Sequence, residues 1–127
     1  VPALLCSSAY AAEKITVASD PTWPPMEFLD DNKQVVGEGL KVLMTHIGGY
    51  PGRYDPRARK LIDELHPDIF VCGHSHILKV VRDTKRNMLV INPGAAGIQG
   101  FHIVRTALRF HIDDGKIHDM EVFEVDR

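Results

Sequence analysis

The stretch that decides the fold runs from residue 40 to residue 76 and reads LKVLMTHIGGYPGRYDPRARKLIDELHPDIFVCGHSH. Two largely apolar runs, residues 40–44 and 69–72, are typical of strands buried on both faces of a sheet. The residues between them have the spacing of a helix. A strand, a helix and a second strand predict a βαβ unit with a right-handed crossover, so its two strands should be parallel.

The helix of this unit has clear start and stop signals. Asp55 is placed to cap it, and Pro56 can occupy its first position without losing a hydrogen bond. Pro67 disfavours helical geometry at His66, so the helix should end there. Its apolar positions follow a spacing of three and four residues and form one stripe, made by Ala58, Leu61, Ile62 and Leu65.

Beyond residue 76 the patterns are those of strands. Short strands are predicted at residues 78–82 and 88–91, and alternating apolar positions predict a longer one at 104–112. Asp114 and Gly115 form a strong hairpin signal, after which residues 117–125 should return as the partner strand. The expected fold is therefore α/β, with a βαβ unit followed by a β-rich C-terminal part.

Seven histidines are present, none of them before position 46. His46 follows the first predicted strand, and His74 and His76 follow the second. Because parallel strands end at the same edge of a sheet, these three imidazoles should lie near one another, where they are plausible ligands for a transition metal. We expect the other four to be structural or solvent-facing, namely His66, His102, His111 and His118.

Several motifs in this part of the chain carry a family resemblance. With Thr45-His46, Gly73-His74-Ser75-His76 and Asn92-Pro93-Gly94, residues 40–124 resemble the C-terminal half of a small bacterial phosphodiesterase of the calcineurin-like metallophosphoesterase superfamily. The resemblance implies about half of an αββα sandwich and metal-dependent hydrolysis of phosphodiesters. It also implies that His46 and His74 bind one metal ion and His76 a second. Arg53, in the glycine-rich loop, is a candidate phosphate contact, with a solvent-facing role as the favoured alternative.

The same family places further ligands in motifs of the form D-x-H, G-D-x-x-D and G-N-H-[DE], and none of these occurs here. Three neutral imidazoles cannot neutralise two divalent ions. We therefore expect at most one divalent ion (Mn, Zn, Ni or Fe), hydrolysis that is absent or very weak, and no assignable catalytic residue. The alternative is a non-catalytic metal-binding or interaction module.

The N-terminal third of the chain has a sequence pattern unlike that of residues 40–127. Residues 1–12 are small and apolar and contain an A-x-A pattern, so we expect a remnant of an export leader. Residues 12–37, AEKITVASDPTWPPMEFLDDNKQVVG, resemble the mature N-terminus of periplasmic amino-acid-binding proteins of ABC importers. In that family, residues matching Asp20 and Trp23 lie beside the ligand cleft, so a fragment of an amino-acid-binding protein is a further alternative.

These observations divide the chain into a leader remnant at 1–12, binding-protein-like strands at 13–39, and a partial metallophosphoesterase domain at 40–127. The chain thus has the character of a chimera or a fragment. A cytoplasmic location is expected for the phosphodiesterase part and a periplasmic origin for the N-terminal part.

Composition limits the partners. Apolar residues make up 44% of the 127, charged residues 25%, and the formal charge is -2. Without a basic excess or a long apolar run, we expect neither nucleic acid nor membrane as a partner. A phosphoester is the expected substrate, and exposed sheet edges make a homodimer a reasonable expectation.

Overall fold

The computed structural model describes residues 13–17, 35–37 and 40–127. The elements in these ranges are β1 (Glu13–Val17), β2 (Val35–Gly37), β3 (Leu40–Met44), β4 (Gly49–Tyr50), β5 (Arg53–Tyr54), α1 (Pro56–Leu65), β6 (Ile69–Val71), β7 (Leu78–Asp83), β8 (Met88–Pro93), β9 (Val104–Asp113) and β10 (Lys116–Asp126). Within these ranges, no helix has the length and apolar character needed to span a bilayer.

Five strands form a mixed sheet in the order β2-β3-β6-β8-β7. β3 and β6 are parallel, with Val42 opposite Ile69, which confirms the two parallel strands of the predicted βαβ unit. β8 runs parallel to β6 on its other side, so three parallel strands lie at the centre. β2 pairs antiparallel with β3 and covers the edge of β3 that is expected from the sequence to be exposed.

A second sheet is antiparallel and has the order β1-β9-β10. Asp114 and Gly115 connect β9 to β10 with positive φ values of 47° and 67°, as the predicted hairpin turn requires. β1 adds to the other edge of β9, where Glu13 lies opposite Ile112. The expected leader remnant at 1–12 lies outside the described residues.

The two sheets and the helix form three layers with two apolar cores. Alternation along the strands places consecutive side chains in different cores, as expected for strands buried on both faces. The core between the sheets contains Val42, Ile69, Val71, Ile91, Leu108, Phe110 and Ile112. The core between the five-stranded sheet and α1 contains Leu43, Ala58, Ile62, Phe70, Cys72, Met88 and Val90. Each fully buried Leu, Ile or Phe stabilises the fold by about 1.5–3 kcal/mol.

The helix begins and ends where the sequence predicts. The Asp55 carboxylate accepts hydrogen bonds from the backbone N–H groups of Arg57 and Ala58 at 2.9 and 3.3 Å. At the other end, His66 adopts the left-handed conformation with φ 48°, and its N–H donates to the carbonyl of Ile62. The helix thereby returns the chain to the start of β6, so that β3 and β6 end side by side.

Candidate metal centre

The three predicted ligands, His46, His74 and His76, lie on two loops that follow the carboxyl ends of β3 and β6. Backbone hydrogen bonds hold these loops together: Thr45 N–H donates to the Val71 carbonyl at 3.0 Å, and Gly73 N–H donates to the His46 carbonyl at 2.9 Å. These bonds extend the parallel pairing beyond the strands. The side chains that follow are therefore held at one edge of the sheet, as the sequence predicts.

His46 and His74 are in direct contact. His46 Nε2 and His74 Nδ1 are 3.2 Å apart, and the two rings meet edge to face with centroids 5.2 Å apart. A metal ion bound by imidazole nitrogens at about 2.0–2.1 Å holds adjacent ligand atoms roughly 3.0–3.4 Å apart. The spacing of these two nitrogens therefore fits a pair of ligands to one ion.

His76 lies beside this pair but faces a different neighbour. Its ring is in edge-to-face contact with His102, with centroids 5.1 Å apart, and a His102 ring nitrogen is hydrogen-bonded to the Gly97 carbonyl at 2.9 Å. Between residues 40 and 127, no third histidine, cysteine or carboxylate joins His46 and His74 within 4.8 Å. The structure thus brings His46 and His74 together as a pair and places His76 next to His102.

The electrostatics of the cluster favour neutral imidazoles. Burial lowers the pKa of His46, and the neighbouring His74 lowers it further. Burial also lowers the pKa of His76, with smaller contributions from His102, His74 and His46. A metal ligand must be the neutral ring with a free lone pair, so these surroundings suit metal binding at neutral pH.

The loop that carries His74 and His76 is strained and braced. Both residues have positive φ values, 64° and 58°, in a region that costs a non-glycine residue about 1–2 kcal/mol. The buried Asn92 amide compensates by donating to the Gly73 carbonyl at 2.9 Å and to Ser75 Oγ at 3.0 Å. Backbone strain that neighbours enforce is common at functional sites.

Asn92 is itself held by the turn that follows β8. Its Oδ1 accepts the N–H of Gly94 at 3.0 Å, and Thr106 Oγ1 donates to the Pro93 carbonyl at 2.7 Å. A Cβ on Gly94 would lie 1.9 Å from Thr106 Oγ1, and φ is 80° there, so only glycine fits. The Asn92-Pro93-Gly94 motif is therefore a support for the histidine loop.

The loop after β3 packs tightly on the helical side of the sheet. A Cβ on Gly48 would lie 2.4 Å from the Cβ of Cys72, so this glycine permits the close approach. Burial raises the pKa of the Cys72 thiol to about 11, and its Sγ donates to the Gly49 carbonyl at 3.5 Å. Cys72 is thus a buried and unreactive core residue.

Arg53 lies away from the histidines. It is exposed on β5 and lines a basic cleft of about 480 Å³ together with Arg59, Arg82, Lys85 and Arg86. None of the candidate metal ligands lines this cleft. The structure therefore places Arg53 apart from the candidate metal site, and a contact between Arg53 and phosphate stays a prediction.

His102 is the residue beside the site that the sequence did not single out. It reaches His76 from the segment between β8 and β9, and Gly100, with φ 118°, passes close to the His76 ring. Nothing in the local pattern around residue 102 indicates this approach, because it depends on the path of a long connection. His66, by contrast, ends α1 and is exposed, as expected.

The comparisons with known proteins agree with this fold. Residues 19–115 match the family model described as the calcineurin-like phosphoesterase superfamily domain, and the chain belongs to that superfamily. The matched range begins at residue 19, ahead of the boundary expected at residue 40. A search of curated protein sequences finds no match.

Solved structures of similar fold include two Vps29 proteins and one predicted phosphoesterase. Vps29 from Chaetomium thermophilum is 14% identical, with 72% of this chain and 58% of that chain covered and a TM-score of 0.50. Vps29 complexed with zinc from Entamoeba histolytica is 18% identical, with 73% and 58% covered and a TM-score of 0.49. A predicted phosphoesterase from Streptococcus pneumoniae TIGR4 is 21% identical, with 75% and 62% covered and a TM-score of 0.49.

This chain spans less than two thirds of the length of each of these three proteins. At such identities the likeness concerns the fold alone. Two packed sheets with one helical layer on the five-stranded sheet correspond to about half of the family's αββα sandwich, as the sequence predicts.

Proposed function

We propose that the chain is a metal-binding phosphoesterase domain that holds one divalent ion between His46 and His74. The observation that carries the proposal is the 3.2 Å separation of His46 Nε2 and His74 Nδ1 at the carboxyl edge of a parallel sheet. Membership of the calcineurin-like superfamily and the zinc present in the Entamoeba Vps29 structure support a divalent ion as the ligand. Mn, Zn, Ni and Fe are the candidates, because imidazole suits all four.

When bound, such an ion polarises a phosphoryl oxygen and lowers the pKa of a coordinated water molecule. The residues around it supply little else. His76, whose pKa burial lowers, and His102 lie beside the pair, and in residues 40–127 no carboxylate joins His46 and His74 to bridge two ions. We infer that the chain alone hydrolyses phosphodiesters very weakly or not at all.

Titration calorimetry with Mn²⁺ and Zn²⁺ tests the ion site. His74→Ala should remove one bound ion per chain relative to the unsubstituted protein, because a single imidazole is a weak site. His66→Asn is the matched control, since it removes an exposed imidazole and keeps a residue that tolerates the left-handed conformation. Equal binding by the protein and His74→Ala would contradict the proposal.

Hydrolysis is tested with bis-p-nitrophenyl phosphate and added Mn²⁺. We expect very weak turnover, no more than slightly above that of the metal ion alone in solution. Turnover well above that level, lost in His74→Ala and retained in His66→Asn, would overturn the inference of inactivity while supporting the metal site.

The second candidate function is a non-catalytic metal-binding module. The observation that favours it is the absence of an anionic ligand from the His46–His74 pair within the described part of the chain. One bound ion combined with no hydrolysis of mono- or diesters would favour this function. Turnover that depends on His74 would exclude it.

Amino-acid binding is the remaining alternative. Asp20 and Trp23, on which it depends, lie outside the described residues. A thermal-shift screen with arginine, glutamine and glutamate tests it directly. An increase of the melting temperature with any of these ligands, abolished by Trp23→Ala, would support it.

A further inference from the structure

A second group of metal-ligating side chains lies on the other sheet, remote in sequence from the first. On β9, Leu108, Phe110 and Ile112 face the core between the sheets, so His111 faces outward. The hairpin register places His118 of β10 directly opposite His111. Their rings are stacked, with centroids 5.5 Å apart and an interplanar angle of 29°.

A β-bulge adds a carboxylate to this pair. The register of β10 shifts between His118 and Glu121, and Asp119 has a positive φ of 52°. In a regular strand, Asp119 would point to the opposite face from His118. Here Asp119 Oδ2 lies 2.8 Å from His118 Nδ1 and 3.7 Å from His111 Nδ1, while Met120 packs against the core.

One ring nitrogen in this group lacks a hydrogen-bond partner. His111 Nδ1 is inaccessible to solvent, yet it makes no hydrogen bond. A buried polar atom without a partner costs about 1–3 kcal/mol, and a metal ion would accept its lone pair. The unsatisfied nitrogen therefore points to a ligand between His111, His118 and Asp119.

We propose that His111, His118 and Asp119 form a second binding site for one divalent transition-metal ion, of the class of Zn²⁺, Ni²⁺, Co²⁺ or Cu²⁺. One donor atom from each residue lies within 4.8 Å of the donors of the other two, and no other such group occurs among the residues that the structure describes. Two imidazole nitrogens and one carboxylate suit these ions, and water can complete the coordination.

This site differs in kind from the His46–His74 pair. It includes an anionic ligand, and its ligands are on adjacent strands of one hairpin. Small movements of exposed side chains, with His118 44% and Asp119 72% exposed, can bring the donors to ligand distance. The bound ion would join β9 to β10 across the bulge, so metal binding should stabilise the three-stranded sheet.

The test uses the full chain without a histidine tag, in the His46→Ala/His74→Ala background that removes the first site. Zinc titration by calorimetry should show one ion per chain in this background. His118→Ala and Asp119→Asn should each weaken this binding by at least about tenfold, because even loss of an outer-shell partner of a ligand typically costs 10–100-fold. Zinc should also raise the melting temperature of the background protein.

Glu121→Gln is the matched control. It removes one exposed carboxylate from the same strand, but Glu121 is engaged with Arg109 through a 2.7 Å hydrogen bond to the guanidinium. Its zinc affinity should stay within twofold of the background protein.

Far-UV circular dichroism and the metal-free melting temperature confirm that each variant is folded. Absence of zinc binding in the folded background would overturn the proposal. The proposal would also be overturned if folded His118→Ala and Asp119→Asn bound zinc as tightly as the background protein. It would equally be overturned if Glu121→Gln lost as much zinc affinity as those two variants.

Discussion

The two ends of the five-stranded sheet use polar side chains in opposite ways. At the carboxyl ends of β3 and β6, His46 and His74 contact each other and leave their coordinating capacity open to a ligand. At the opposite end, Asp83 is 4% exposed and receives four hydrogen bonds. The first end carries the proposed metal site, whereas the buried carboxylate at the second end supports the fold.

The hydrogen bonds of Asp83 come from three residues around it. Tyr54 Oη donates at 2.9 Å, the backbone N–H groups of Lys85 and Arg86 at 3.1 and 3.2 Å, and the Arg86 guanidinium at 3.2 Å. Asp68 at the same end accepts the Lys41 N–H at 2.8 Å. These two carboxylates are engaged in hydrogen bonds of the fold and lie at the opposite end of the sheet from the histidine pair.

The largest effect on stability is expected for Asp83→Ala. It leaves the Tyr54 hydroxyl and the Arg86 guanidinium without their buried acceptor and should lower the free energy of unfolding by about 3 kcal/mol. Metal affinity at His46 and His74 should be unchanged. Urea unfolding and zinc titration measure both, with the exposed Asp63→Asn as a milder control. If Asp83→Ala also lost metal affinity, the two ends of the sheet would not be independent, which would contradict this prediction.

Asn92→Ala is expected to cost about 1–3 kcal/mol, because it removes the hydrogen bonds to the Gly73 carbonyl and Ser75 Oγ and leaves the buried Gly94 N–H without its acceptor. Since Asn92 also braces the loop of His74, metal affinity should fall by about 10–100-fold. Thr106→Val, which removes only the hydroxyl bonded to Pro93, is a control that should alter stability more than metal affinity. Unchanged metal affinity in Asn92→Ala would show that the brace is not needed for binding.

Acid should destabilise the fold through Asp83. Burial alone would raise the pKa of this carboxyl, but hydrogen bonds from Tyr54 and Arg86 outweigh it and hold the pKa below its usual value. The folded state therefore releases this proton more readily than the unfolded chain. Its stabilisation is present at neutral pH and is lost as the pH falls through the lowered folded-state pKa.

Unfolding at a series of pH values below 6 measures this dependence in the protein and in Asp83→Asn. The asparagine variant should show a shallower loss of stability on acidification. Identical slopes would assign the acid sensitivity to other groups.

The smallest effect on stability is expected for His74→Ala without metal, because the side chain is exposed and lies on a loop. A change within about 0.5 kcal/mol is typical of such positions. Added zinc should stabilise the protein more than the variant. Melting curves with and without zinc test this prediction. A large metal-free destabilisation would show that the histidine pair also supports the fold.

Local signals sufficed for much of this structure. Asp55, Pro56 and Pro67 define the helix, and the two apolar runs define parallel strands, so the meeting of His46 and His74 followed from topology. The turn at residues 114–115 also fixes which residues of β9 and β10 face each other. His111 and His118 are therefore a predictable pair, although each residue taken alone indicates only a structural or solvent-facing role.

Other features depend on contacts that no local pattern encodes. The pairing of β1 with β9 and of β2 with β3 is decided by which sheet edges are available. The bulge that brings Asp119 beside His118 interrupts the two-residue period from which a side chain's face is inferred. His102 reaches His76 through an irregular connection.

The position of β1 has a consequence for the order of folding. β9 and β10 are joined by a two-residue turn and can pair early, whereas β1 must bring Glu13 to Ile112 across nearly the whole chain. Closing so long a loop is entropically costly, and such non-local pairings form slowly. During synthesis β1 leaves the ribosome long before its partner strand exists. The three-stranded sheet should therefore be completed last, after β9 and β10 have formed its hairpin.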